Sequence, residues 1–278
     1  MRRIFFALAV VFLAASAIVP FAQETQTTSL APIPAATRSQ ADCTGFIASP
    51  PLPNDLSVIG GEDDDTHSVV RQFIPGKSVY LSNHSRENVA VGAEYSVVRP
   101  AGEIFHTTRY TGQGTALGKV GKPYEDIGRV KVTHVNSEGI VAKVTFACGP
   151  ISPGDLLMPF QPRPIPEYTV TKPLDHFAPL DADKPQGRVA AARSNFGFIG
   201  KYNIVYLNLG ENTGIKAGQR VRIFKVLPSH PTGLLQRQQT PPEILGEAVV
   251  LSIQAKSCVA IVVASYREIA AGDGVQLE

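Results

Sequence analysis

Two patterns in this chain are the most obvious candidates for chemistry. The first is an acidic run, Glu62-Asp63-Asp64-Asp65, with His67 close behind. Several carboxylate oxygens beside an imidazole are what a hard divalent cation takes up. The run lacks the alternating spacing and the glycine of a calcium loop, and consecutive side chains point in different directions, so it reads as a solvated loop. The second is a Gly-Asp pair that occurs twice, Gly154-Asp155 and Gly272-Asp273. A repeated acid invites a catalytic reading. However, an aspartate that follows glycine at a strand entry also bonds nearby backbone and fixes a turn. All four residues are assigned here as structural turn positions.

The remaining reactive residue types form no recognisable set. The six histidines (His67, His84, His106, His134, His176, His230) have no zinc-ligand spacing. There is no Gly-x-Ser-x-Gly nucleophile motif. Gly112-Gln113-Gly114 with Gly118 and Gly121 has the composition of a phosphate loop, but no Gly-Lys-Ser/Thr occurs and the strand and helix that should flank it are not evident. It reads as a flexible hairpin tip inside the connector Ala101–Tyr124. That connector also carries Arg109, Tyr110, Lys119 and Lys122, the candidate contact residues, because function tends to sit on loops held by a rigid scaffold. No catalytic, cofactor-binding or metal-binding residue is assigned, and the chain is expected not to be an enzyme.

Composition narrows the setting. In 278 residues a net charge of +2, with 44% apolar and 18% charged residues, gives no concentrated basic surface for nucleic acid. Arg2 and Arg3 precede an apolar stretch from Ile4 to Val19, and Ala22 follows, so residues 1–22 read as a signal peptide. An uncleaved N-terminal anchor is the alternative. The protein is therefore expected to be exported, to the periplasm or the cell surface. Three cysteines then face an oxidising compartment and can form at most one bridge. Cys258 falls among inward strand positions with Ala260, Val262 and Ala264 and reads as a buried thiol. Cys43 and Cys148 are left as the bridge; two free thiols are the alternative.

The elements that would position these residues are duplicated. Val79-Tyr80-Leu81 recurs as Val205-Tyr206-Leu207, and the offset of 126 also relates Gly92 to Gly218 and Arg99 to Lys225. A second block, from Gly128 to Gly154-Asp155, recurs from Gly246 to Gly272-Asp273 at an offset of 118. Between these two blocks the first copy is thus 8 residues longer, in its connector. Each copy reads as short strands with glycine at the corners. In the second, Val259, Ile261 and Val263 are apolar as well as the inward set, so that strand is expected to be covered on both sides. The fold class follows: mostly β, two tandem related small β-barrels joined by a Pro-rich linker. The divisions are 1–22 signal peptide, 23–42 disordered Thr/Ser/Pro-rich tail, 43–160 first barrel, 161–186 linker acting as a semi-rigid spacer, and 187–278 second barrel.

Val205-Tyr206-Leu207-Asn208-Leu209-Gly210, Thr213 to Gly218, Leu245 to Val250 and Ile269 to Asp273 together resemble the C-terminal domain of the flagellar assembly protein T family. The resemblance covers about 90 residues and, more loosely, the first copy. It implies a small SH3-like β-barrel module of exported envelope proteins, and it brings no catalytic residues. The expected function is a non-enzymatic scaffold or interaction protein of the bacterial cell envelope. Its partner would be another envelope protein, with no nucleic acid and no small-molecule cofactor. The alternative is a peptidoglycan-binding protein using an inter-barrel groove and Tyr80, Tyr95, Tyr110 or Tyr206.

Overall fold

The structure, a computed structural model, describes residues 31–62, 72–83, 88–102, 110–193, 198–227 and 240–278. The signal peptide, Asp63 to Asp65, His67, His84, His106, His230 and Arg109 lie outside the described residues. Residues 31–42 were expected to belong to a disordered tail and instead are ordered. Strand β1 (Ile33–Pro34) pairs with β9 (Glu167–Tyr168). A short helix α1 (Arg38–Asp42) follows, started by a capping box in which Thr37 and Gln40 satisfy each other's backbone N–H groups. Ala35, Ala36 and Ala41 are buried, which is the contact that holds the segment down.

The first barrel closes six strands, β3 (Leu56–Gly61), β4 (Ser78–Asn83), β5 (Glu94–Pro100), β6 (Lys122–Val135), β7 (Ile140–Ala147) and β8 (Leu156–Pro159). Their order is β6-β5-β8-β3-β4-β7, and β7 pairs back onto β6. A seventh strand, β2 (Phe46–Ala48), lies along the start of β6. The second barrel uses β10 (Gln186–Ala192), β11 (Ile204–Leu207), β12 (Arg220–Lys225), β13 (Glu243–Ile253), β14 (Cys258–Ser265) and β15 (Gly274–Leu277). Its closed order, β13-β12-β15-β10-β11-β14, is the first barrel's order strand for strand.

The duplication extends to irregularities. The bulge between Val97 and Val98 recurs between Ile223 and Phe224, and the one between Arg129 and Val130 recurs between Glu247 and Ala248. The Phe73–Ile151 bridge recurs as Ile199–Ile269. Gly128 and Gly246 show why one of these positions must be glycine. A Cβ there would sit 2.5 Å from the Phe146 carbonyl oxygen and 2.4 Å from that of Ala264, its counterpart. The sharpest departure is Tyr202, which takes φ +69° where the first copy has Gly76 at φ +94°. Both donate their N–H to equivalent carbonyls, Val262 and Val144.

Each barrel has its own apolar interior, built around Val79, Val97 and Val132 in the first and Val205, Ile223 and Val250 in the second. A third apolar cluster joins the two. The Cys43–Cys148 disulfide is present, with Cα atoms 5.6 Å apart, and fastens the residue after α1 to the end of β7. Among the described residues no helix is long and apolar enough to cross a membrane.

Candidate functional site

The two barrels meet at an apolar seam. Ala190, Ile204, Tyr206, Val249, Val259 and Ile261 point outward from the second barrel and are nonetheless buried. They pack on Phe46, Ile47 and Tyr124 and on helix α2 (Gln113–Val120), through Leu117 and Val120. Among the described residues, hydrogen bonds cross the seam. The Tyr206 hydroxyl donates to the Thr44 carbonyl (2.8 Å), Gln113 Nε2 donates to the Ala190 carbonyl (3.0 Å), and Ser257 Oγ donates to the Ile47 carbonyl (3.4 Å). The apolar outer positions of β14, Val259 and Ile261, are covered as their composition implied. On the first barrel the matching wall is open. Ile59 and Tyr80 are 55% and 44% exposed, against 1% for their counterparts Ala190 and Tyr206.

Helix α2 also corrects the reading of the Gly-rich connector as a hairpin tip. Gln113, Leu117 and Val120 recur at helical spacing and all three are buried. Gly114 and Gly118 weaken the helix by roughly 1 kcal/mol each relative to alanine, and the seam contacts override that cost. The helix separates the candidate contact residues. Tyr110 precedes it, while Lys119 is exposed in its last turn and Lys122 is exposed at the start of β6, its ammonium 5.8 Å from the Tyr124 ring centroid. Eight residues of helix put about 12 Å between the two ends, so Tyr110 and the lysines do not form one patch.

Tyr110 instead reaches the second barrel. Its ring lies against Gly272, where a Cβ would come within 2.9 Å. It forms one side of an open groove of about 760 Å³, lined also by Arg188, Asn208, Phe224, Lys225 and Asp273. Burial raises the Tyr110 hydroxyl's pKa, partly offset by the Arg188 charge.

The repeated aspartates accept backbone N–H groups three residues before them. Asp155 bonds Ser152 (2.8 Å) and Asp273 bonds Ala270 (2.7 Å), which closes the turn ahead of β8 and β15. The two then differ. Asp155 also takes a forked pair from Arg99 (2.6 and 2.8 Å), and this bond raises the Arg99 pKa. In the second copy Lys225 replaces Arg99, and burial raises the Asp273 pKa above its ordinary value despite the Ala270 N–H and the Lys225 charge. A folded-state pKa above the unfolded one contributes stability in acid, and that contribution is lost as pH rises through the folded value. Asp155→Asn is therefore expected to lower the melting temperature at neutral pH. Asp273→Asn is expected to leave it equal or higher, with any gain vanishing in acid. Thermal melts at both pH values check this.

No family model and no curated protein matches this chain. Its chemistry has to be taken from its own side chains. The Pro-rich stretch after β8, expected to act as a semi-rigid spacer, is hydrogen-bonded to both barrels. Arg163 donates both guanidinium branches to buried Asp126 (2.5 and 2.9 Å) and also bonds Thr44. Further on, Arg222 donates to the Pro179 carbonyl, and Asp181 exchanges two hydrogen bonds with the buried side chain of Gln276. Where this strap leaves the first barrel it borders a hollow of about 500 Å³ at the seam, lined by Phe46, Pro50, Ser96, Met158, Arg163 and Gln254. None of the four tyrosines considered for glycan contact lines it. Tyr95 and Tyr206 are buried, Tyr110 faces the other groove, and Tyr80 stands on the open wall.

Among the described residues no three His, Cys, Asp or Glu gather as a metal site. Cys258 is fully buried and burial pushes its thiol up to about 12, so it is poorly nucleophilic. Non-reducing iodoacetamide labelling is expected to leave the native protein unmodified and to add one label per chain after denaturation.

Proposed function

We propose that this protein is a non-enzymatic, exported scaffold or interaction protein of the bacterial cell envelope. The carrying observation is the seam: one apolar cluster and the hydrogen bonds from Tyr206, Gln113 and Ser257 fix the two barrels as a single body. A rigid body with two related walls, one used internally and one open, suits holding a partner in a set orientation. The acids that invited a catalytic reading already have structural partners in Arg99, Ser152 and Ala270. The Cys43–Cys148 bridge is compatible with an oxidising compartment. Kinship of the barrel modules with the C-terminal domain of the flagellar assembly protein T family is part of this proposal. It is supported by the closure of short strands with glycine corners into small barrels.

The exposed ring of Tyr80 favours one rival, peptidoglycan binding. Two measurements separate them. In-cell crosslinking is expected to give a discrete protein adduct, and purified sacculi are expected to sediment no more of this protein than of a globular control. Retention on sacculi without a protein adduct would overturn the scaffold reading.

A further inference from the structure

The open wall of the first barrel has the register of a wall that is already a docking surface. Tyr80 pairs with Val141 as Tyr206 pairs with Val259, and Ser78 pairs with Lys143 as Ile204 pairs with Ile261. Lys131 pairs with Lys143 as Val249 pairs with Ile261. We propose that the face centred on Ile59, Tyr80 and Val141 binds an extended polypeptide segment of another protein, apolar over most of its length and carrying carboxylates at one end. This rests on the scaffold reading and names the chemistry of the partner.

The chain shows what lies on such a wall. On the second barrel the covering segment is Thr44 to Ala48, extended into β2, with α2 beside it. The wall reads that segment's main chain, through Tyr206 to the Thr44 carbonyl and Ser257 to the Ile47 carbonyl. Tyr80 is the matching tyrosine on the first barrel and is exposed, as Ile59 beside it is. Exposed apolar side chains grouped on one wall and rimmed by polar ones mark an interaction site.

Charge selects the partner. Where the second barrel carries Val249 and Ile261, the first carries Lys131 and Lys143, both exposed. Lys131 makes a long pair with Glu94 (3.6 Å) between two partly exposed side chains, an arrangement worth little. The two lysines are cross-strand partners at one end of the face, so an occupant with carboxylates at that end would meet both ammonium groups. A second copy of the same face would set lysine against lysine, which disfavours self-association.

The test uses the full chain and a short fluorescent peptide with Val and Leu over most of its length and Glu at one end. Anisotropy is expected to show binding that weakens with salt. Affinity should fall about tenfold or more in Tyr80→Ala and in Lys131→Glu/Lys143→Glu, and less in the Gln pair, while melting temperatures stay within a few degrees of wild type. Equal binding of the same peptide with Lys in place of Glu, equal binding by the variants, or no binding at all would overturn the proposal. A dimer in sedimentation velocity that Tyr80→Ala abolishes would give the face to a second copy. Sacculus binding that Tyr80→Ala abolishes would give it to glycan. If the peptide fails while an in-cell protein adduct persists, the face proposal falls and the scaffold reading stands.

Discussion

Replacing Val249 and Ile261 with lysine, the residues of the first copy at Lys131 and Lys143, is expected to open the seam without unfolding either barrel. Both side chains are fully buried in the apolar cluster between the barrels. An ammonium placed there without a partner costs several kcal/mol, because it is stripped of water and given nothing in return. The interior of the second barrel, with Val250, Ala260 and Val262, is untouched. The first barrel already carries lysine at both positions in the same topology, so the strands themselves accept it. Small-angle scattering should show a more extended particle, and denaturant unfolding should split into two transitions. A compact double variant with one transition would mean that the seam does not hold the barrels together.

The second large effect is expected from the bridge. The Cys43–Cys148 disulfide closes a span of 105 residues, for which chain entropy sets an upper value of about 4.7 kcal/mol. Its position adds a local consequence. Cys43 directly precedes Thr44, whose carbonyl accepts the Tyr206 hydroxyl, and Thr44 is further held by Arg163. Losing the bridge therefore loosens the covering segment of the seam as well as the first barrel. Cys43→Ser/Cys148→Ser should show a large drop in the urea midpoint, matched by reductant acting on the wild type. A loss below about 1 kcal/mol would contradict this account.

Much of this architecture is legible in the residues, and what is not has identifiable causes. The offsets of 126 and 118 are visible because glycine, turn and β-branched positions are kept where backbone geometry forbids alternatives, as at Gly128 and Gly246. The equivalence of β3 and β10, at an offset of 131 from Val58 to Val189, is not visible, because only their pairing register and shared bulge survive. The Thr37–Gln40 capping box is a readable signal obscured by the low-complexity residues before it. Helix α2 is not readable locally, since its two glycines argue against it and the second barrel supplies the reason for it. Arg163 and Asp126 meet across 37 residues, with nothing in either neighbourhood to announce the pair. The contrast between the two outer walls, by contrast, is written in Lys131 against Val249 and Lys143 against Ile261.

Two copies of one barrel use the same wall differently, buried in the second and open in the first. Hydroxyl-radical footprinting of the intact folded chain, read by mass spectrometry, compares the equivalent tyrosines directly. Tyr80, at 44% exposure, should be oxidised readily, and Tyr206, at 1%, should be protected until the protein unfolds. Equal oxidation of Tyr206 and Tyr80 in the native protein would contradict the account.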